Sequence, residues 1–261
     1  MDDTEIIEYK KSAWQGTGDS CTYSKNVDNL FFNAVIKKIF LTYIKPGFKV
    51  FDMGAGTGRL SFALADYGCE VLASDISKDM ISHIERNKDG RNIKTMIADG
   101  EFVDGYLEQF DAVTSLSFMS HFPNWANFLK IKSKLCKKGG YIIFNFRNRE
   151  NFNHIDHDEK KVLDYLFNGD FLSSCPREEF EKICSDIGLE VVKVYPISFF
   201  SENALFHPYL TKDEVKTFTM LFGKLLASPK ILDILTKFEE EIIQKSDEDV
   251  CSDTVVVLRK K

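Results

Sequence analysis

The stretch VFDMGAGTGRL, residues 50–60, joins an apolar, β-rich run to three glycines spaced two residues apart, Gly54, Gly56 and Gly58. Open α/β sheets bind their ligands at such a junction, where a strand ends and a helix begins. Glycine allows the backbone to approach a ligand closely and to adopt turns that are closed to other residues. The stretch therefore predicts a ligand-binding turn at the carboxyl end of a strand.

The spacing of these glycines distinguishes between the common nucleotide-binding turns. The dinucleotide fingerprint G-x-G-x-x-G/A requires Gly or Ala at position 59, where this chain has Arg59. The P-loop requires a lysine before Ser or Thr, and the turn contains no lysine. The pattern thus disfavours NAD, FAD and nucleoside triphosphates.

Short β-rich runs alternate with helical stretches on both sides of this turn, which is typical of a parallel sheet with crossover helices. We predict strands at about 48–53, 69–74, 92–97, 110–115 and 140–146, and helices near 58–67, 78–88 and 124–136. Ser77 is the expected N-cap of the second helix. The lysines of KIKSKLCKK, residues 130–138, are expected at the end of the third, where positive charge suits the helix dipole; the alternative is a contact with nucleic acid.

The second half of the chain adds two more predicted strands, LEVVKVYPI and TVVVLRK, with a helix from Pro176 to about Gly188 before them. Between the two strands, Thr211 with Glu214 and Ser228 with Pro229 mark helix starts. The predicted fold class is α/β, a doubly wound Rossmann-like, mostly parallel sheet of seven strands. We expect a single domain over 1–261, with an N-terminal helical cap (1–45), a core that binds the ligand (46–146) and a helical insertion (199–252) as a candidate acceptor lid.

Composition narrows the range of partners. The 34 Lys and Arg against 40 Asp and Glu give a net charge of -6, which argues against a surface that grips phosphate backbones, so no DNA partner is expected. No apolar run is long enough for a membrane span and the acidic start lacks the layout of a signal peptide, which predicts a cytoplasmic protein. Six dispersed cysteines without a C-x-x-C pair predict reduced, buried thiols.

VFDMGAGTGRL resembles motif I of the class I S-adenosylmethionine-dependent methyltransferases, a strand ending in an acidic residue followed by G-x-G-x-G. The resemblance continues in the same order through LASD, which ends at Asp75, MIADGEFV around Asp99, FDAVTSLSFMSHF and KKGGYIIFNF. It implies S-adenosylmethionine (SAM) as cofactor and S-adenosylhomocysteine (SAH) as product.

The resemblance also implies roles for individual residues. Asp75 falls where the family binds the ribose hydroxyls, and Asp99 falls near the adenine amino group, with Ala98 and Gly100 leaving room for the ring. The alternative for Asp75 is a cap on the helix that follows, where Ser77 competes for that role, and the alternative for Asp99 is also a helix cap. The residues expected to bind the cofactor are Asp52, Gly54, Ala55, Gly56, Gly58, Asp75, Ile76, Met80, Asp99, Gly100 and Ser115.

His121 follows the fourth strand on the rim where cofactor and acceptor meet, and its ordinary pKa near 6.5 suits a general base. The alternatives are a pocket wall and a remote structural role. NFRN, residues 145–148, leaves the fifth strand on the same rim and offers hydrogen-bond donors to an acceptor. The candidate contacts to the acceptor are His121, Arg147, Phe199 and Tyr209. HIDHD, residues 154–158, is too local to predict a metal site.

The acceptor class is inferred mainly by exclusion. SLSF, residues 115–118, replaces the D/N-P-P-Y/F motif of DNA amino-methyltransferases, which disfavours a base extruded from DNA. We expect methylation of an O or N nucleophile on a small-molecule or sugar and glycan acceptor; the alternatives are a non-catalytic SAM-binding subunit and an RNA or protein methyltransferase. The N-terminal aromatics Tyr9, Trp14 and Tyr23 form either a lid over the cofactor or plain packing. The sequence leaves the oligomeric state open.

Overall fold

The computed structural model describes residues 3–14, 30, 32–99, 105–148, 174–197, 212–245 and 253–261. The helices are α1 (Asp3–Ala13), α2 (Lys37–Tyr43), α3 (Arg59–Asp66), α4 (Lys78–Asn87), α5 (Trp125–Leu135), α6 (Arg177–Asp186), α7 (Lys212–Leu226) and α8 (Pro229–Glu241). The strands are β1 (Lys49–Met53), β2 (Glu70–Asp75), β3 (Ile93–Ile97), β4 (Phe110–Ser115), β5 (Cys136–Asn148), β6 (Ser174–Cys175), β7 (Leu189–Ile197) and β8 (Asp253–Lys260). None of these helices is both long and apolar enough to span a bilayer.

Seven strands form one sheet in the order β3-β2-β1-β4-β5-β8-β7. β8 is antiparallel to both of its neighbours, whereas the pairs from β3 to β5 are parallel. This confirms the predicted fold class. The structure adds β6, a two-residue strand paired with the end of β5, which is too short to leave a periodic pattern in the sequence.

Helices cover both faces of the sheet. Neighbouring residues of a strand point to opposite faces, and apolar residues on both faces pack against helices. Phe51 faces a buried cluster with Phe128 of α5 and Phe180 of α6. Val50 faces a second cluster with α2, α3 and α4. Both strand residues are fully buried, so β1 and the turn that follows it lie between two packed layers.

Local capping explains where α4 begins. Ser77 is its N-cap, and its Oγ accepts a hydrogen bond from the backbone N–H of Met80 at 3.4 Å, which confirms the predicted cap. Ser228 precedes α8 in the expected extended conformation, but its side chain makes no capping hydrogen bond. Thr211, its predicted counterpart before α7, lies outside the described residues.

The helices of the insertion pack against the N-terminal segment. Leu226 of α7 is buried against Val35, which lies in a π-helical turn (Phe32–Ile36) before α2, and Phe222 packs beside them. Lys38 of α2 also forms a 2.7 Å ion pair with Glu240 of α8. The described part of the insertion therefore packs against the π-helical turn and α2.

The described cysteines match the sequence prediction. Cys69, Cys136, Cys175 and Cys184 are free thiols and buried. Cys21 and Cys251 lie outside the described residues.

Candidate functional site

A cleft at the carboxyl ends of β1, β2, β3 and β4 encloses about 1020 Å³ of empty space, including its open mouth. It lies where the sheet order reverses between β1 and β4, the position at which open α/β sheets bind ligands. Eight of the residues predicted to bind the cofactor line it: Asp52, Gly54, Ala55, Gly56, Asp75, Ile76, Met80 and Asp99. The topology thus brings together residues from three separate strand ends.

The glycine-rich turn forms the floor of the cleft in left-handed backbone conformations. Gly54 and Gly56 have φ values of 68° and 55°, which favour glycine strongly. A Cβ atom at Gly54 would overlap the ring of Phe118, whereas a Cβ at Gly56 would have no atom within 4 Å. Gly58 does not line the cleft; a Cβ there would lie 2.9 Å from Ile84 Cγ1, so this glycine allows α3 to pack against α4.

Asp75 joins the turn to the start of α4. Its Oδ2 accepts a hydrogen bond from Gly56 N and its Oδ1 accepts one from Ser77 N, both at 2.9 Å. Burial raises the pKa of Asp75, and the backbone N–H groups oppose that shift. The backbone N–H groups of Gly56, Ile76 and Ser77 all interact with this carboxylate. Because a carboxylate has about four acceptor positions, Asp75 can hold the turn and still accept from a ligand hydroxyl. The cap of α4 is Ser77, so Asp75 orients the turn and the N-cap residue, which is compatible with a role in binding the ribose.

Replacing Asp75 by asparagine is expected to weaken SAH binding at least tenfold. The amide removes the charge and one acceptor, and hydrogen bonds to a charged group contribute about 1.5–3 kcal/mol each. Calorimetric titration with SAH measures the loss. Asp79→Asn, which removes the same charge from the exposed first turn of α4, should bind SAH like the wild type; equal affinities for both variants would contradict the role of Asp75.

Asp52 lies at the end of β1 and is 1% exposed. Its Oδ2 accepts from Ser61 Oγ at 2.6 Å and its Oδ1 accepts from Thr114 Oγ1 at 2.9 Å. Burial raises its pKa, and these hydroxyls together with Lys132 oppose the shift. Asp52 therefore lies against the floor of the cleft with both oxygens bound from inside the protein.

Lys132 of α5 is a buried lysine near Asp52 whose position was not predicted from the sequence. Its side chain is fully buried, its Nζ donates to Thr114 O at 3.5 Å, and the Nζ lies 5.6 Å from the ring centroid of Phe118. Burial lowers its pKa to about 7, against the attraction of Asp52. Lys132 and Lys134 lie in the last turn of the helix, as expected for these lysines, but Lys132 is buried there. Helical spacing is the signal that was available, since Lys132 continues the buried stripe of Trp125, Phe128 and Leu129.

Helix α1 reaches the mouth of the cleft. Lys11 Nζ lies 2.5 Å from Asp99 Oδ2, and Lys11 and Trp14 both line the cleft. The indole of Trp14 meets the ring of His121 edge to face, with 5.4 Å between centroids. Tyr9 is half exposed, and Tyr23 lies outside the described residues.

His121 lies in a 3-10 turn (Met119–His121) between β4 and α5 and lines the cleft together with Leu116, Ser117 and Phe118. Ser115, the last residue of β4, precedes Leu116. It is 1% exposed and is not part of the lining of the cleft. Its hydroxyl makes no hydrogen bond among the described residues. The loop after β4, rather than the strand itself, thus borders the cleft.

Several predicted residues fall outside what the structure describes. Gly100, Phe199 and Tyr209 lie beyond the described ranges, as do residues 154–158. Arg147 is described in its backbone alone, which pairs with Asp253 in the sheet. Within the described ranges, no three His, Cys, Asp or Glu side chains are grouped as a metal site.

The residues of the cleft fit SAM. The glycine turn leaves room for a ligand to pass close to the backbone, because a Cβ at Gly56 would meet no atom. Asp75 and Asp99 supply acceptors at two strand ends, and Ile76, Met80 and Leu116 supply apolar walls. Such a set, mostly apolar with a few placed polar groups, is typical of a cofactor site.

Comparison with known proteins also indicates a methyltransferase. A family model described as "Methyltransferase domain" matches residues 23–194. The ubiquinone biosynthesis O-methyltransferase of Coxiella burnetii (strain Dugway 5J108-111) is 32% identical over 124 residues, 44% of this chain and 52% of that protein. The protein of the same description from Methylococcus capsulatus is 27% identical over 189 residues, 70% of this chain and 79% of that protein. The chain thus spans about half the length of the first relative.

Among solved structures, magnesium protoporphyrin IX methyltransferase from Synechocystis PCC 6803 with bound SAM has the same fold. The match has a TM-score of 0.58 and 14% identity, and it covers 100% of this chain and 98% of that chain.

Proposed function

Because the chain belongs to the class I SAM-dependent methyltransferases, we propose that it transfers a methyl group from SAM to an oxygen of a small-molecule acceptor. The transfer to oxygen is supported by the names of the relatives in Coxiella burnetii and Methylococcus capsulatus. The single observation that carries the proposal is the cleft, which combines the glycine turn, Asp75 and Asp99 with His121 in one lining.

Bound SAM supplies a methyl carbon on a sulfonium, which has a good leaving group, so the task of the protein is mainly alignment. Holding two reactants in line lowers a barrier by roughly 7–11 kcal/mol. Asp75 and Asp99 fix the nucleoside end in this scheme, and the turn at Gly54 and Gly56 positions the sulfonium end. His121 accepts the proton of the acceptor hydroxyl on a ring nitrogen.

The walls of the cleft favour an apolar or aromatic acceptor. Trp14, Phe118, Phe122 and Phe128 line it on the side of His121, and aromatic side chains supply large apolar contact areas. The described helices of the insertion do not line the cleft, so a role for residues 199–252 in selecting the acceptor rests on the part that is not described.

A screen of hydroxylated small molecules with a labelled methyl donor tests the proposal. We expect label on the oxygen of a phenolic or other apolar hydroxyl compound. Label on nitrogen, on RNA or on protein would contradict the proposed acceptor. Tight SAM binding without transfer to any acceptor would instead favour the non-catalytic subunit.

With such an acceptor, replacing His121 by alanine should lower turnover at least tenfold without changing the affinity for SAM. General bases contribute about 10²–10⁴-fold to rate. Steady-state kinetics and a SAM titration give the two quantities. His83→Ala is the matched control for the rate at saturating SAM, because His83 lies on α4 outside the cleft lining and reaches only the glycine turn, with its Nδ1 3.2 Å from Thr57 O. An unchanged rate for His121→Ala would remove it as the base.

A further inference from the structure

We propose that Asn145 is a positioning residue for the loop that carries Phe118 and His121. Its side-chain amide links the backbone of Ser117, just after β4, to the carboxylate of Asp253 at the start of β8. This inference rests on the proposed function, since it concerns how the same cleft is held in shape. It also reassigns the amide of Asn145 from the acceptor, where the sequence suggested it, to the protein itself.

The loop begins with an unfavourable backbone conformation. Ser117 has a φ of 55° although it is not glycine, and the left-handed region is unfavourable for a residue with a Cβ atom. Such a conformation persists when the surroundings hold it, and it is typical of functional sites. Asp89 and Glu108, the other described non-glycine residues with positive φ, are not part of the cleft lining.

Hydrogen bonds from a neighbouring strand hold this conformation. Ser117 N donates to Asn145 Oδ1 at 2.5 Å, and Asn145 Nδ2 donates to Asp253 Oδ2 at 3.2 Å and Oδ1 at 3.4 Å. Asp253 Oδ1 also accepts from Thr254 N at 3.0 Å. The amide is suited to this place because it presents an acceptor to an N–H group and a donor to a carboxylate.

The position of Ser117 sets the position of the residues that follow. Phe118 lies against Gly54, and its ring centroid is 5.0 Å from that of Phe128. His121 N donates to Phe118 O at 3.1 Å, so His121 and Phe118 form one turn. A shift at Ser117 would move both the ring on the glycine turn and the proposed base. Since a displacement of about 1 Å can cost 10²-fold in rate, Asn145 would act on catalysis without touching a substrate.

Exchanging the amide and the carboxylate tests the link directly. Asn145→Asp keeps an acceptor for Ser117 N but places a second carboxylate beside Asp253. We expect it to lower kcat at least tenfold, with a smaller change in the KM of the acceptor. The double variant Asn145→Asp with Asp253→Asn restores an amide facing a carboxylate and should return kcat to within threefold of the wild type. Asn87→Asp, on the exposed end of α4, is the matched control and should be unchanged.

A second measurement needs neither an acceptor nor turnover. In Asn145→Ala, the backbone amide of Ser117 should exchange with solvent at least tenfold faster than in the wild type, while the amides of β1 keep their rates. Wild-type turnover in Asn145→Asp, no recovery in the double variant, or unchanged exchange at Ser117 would overturn the proposal. If the wild type methylates no acceptor, the proposed function fails, and the exchange result still decides the role of Asn145.

Discussion

Replacing Gly54 by alanine is expected to lower the free energy of unfolding by about 2–5 kcal/mol and to weaken SAH binding at least tenfold. A residue other than glycine in the left-handed conformation costs roughly 1–2 kcal/mol. Overpacking a filled site adds about 1–3 kcal/mol, because the new Cβ would overlap the ring of Phe118. Relief of that overlap must move either the ring or the turn, and both line the cleft.

Gly56→Ala provides the matched control for this effect. Gly56 has a similar positive φ, but a Cβ there meets no atom within 4 Å. Its loss of stability should therefore be limited to the strain of about 1–2 kcal/mol. Denaturant unfolding measures both variants, alone and combined with Phe118→Ala. The smaller side chain should remove most of the extra cost of Gly54→Ala and none of the cost of Gly56→Ala; equal losses in all backgrounds would contradict the clash.

Replacing Lys132 by alanine is expected to lower the free energy of unfolding by about 2–5 kcal/mol, because it removes a fully buried side chain and leaves a cavity beside β4. The substitution also removes the Nζ that donates to Thr114 O at 3.5 Å. Lys134→Ala on the exposed side of the same helix is the control, and surface substitutions usually change stability by less than about 0.5 kcal/mol. Similar losses for Lys132→Ala and Lys134→Ala would contradict the buried position of Lys132.

Lys132→Met extends this test to pH, because methionine keeps most of the volume and cannot titrate. Burial lowers the pKa of Lys132 from its ordinary 10.5 to about 7. Between these values the unfolded chain binds more protons than the folded protein, so stability due to this group is lost as the pH falls from 10.5 to 7. The free energy of unfolding of the wild type minus that of Lys132→Met should therefore decrease as the pH falls from 10.5 to 7. The decrease should be at most about 1.4 kcal/mol per pH unit. A difference independent of pH would show that Lys132 titrates normally.

The sequence predicts the fold and the cofactor side of the cleft because those features depend on local patterns. Asp75 could be placed from its position at the end of the second strand, and the turn from its glycine spacing. The burial of Lys132 was not predicted, because a lysine inside an apolar helical stripe can also extend to solvent. Asn145 and Lys11 could not be assigned, because their partners Ser117 and Asp99 are distant in the chain and the contacts exist only once the sheet has formed.

Binding of SAM in the cleft is the central claim, and calorimetric titration with SAM, SAH and NAD tests it most directly. We expect SAM and SAH each to bind at one site per chain, with affinity lowered by Asp75→Asn and retained by Asp79→Asn, and NAD to give no binding heat. Tight binding of NAD with no response to SAM or SAH would contradict the account.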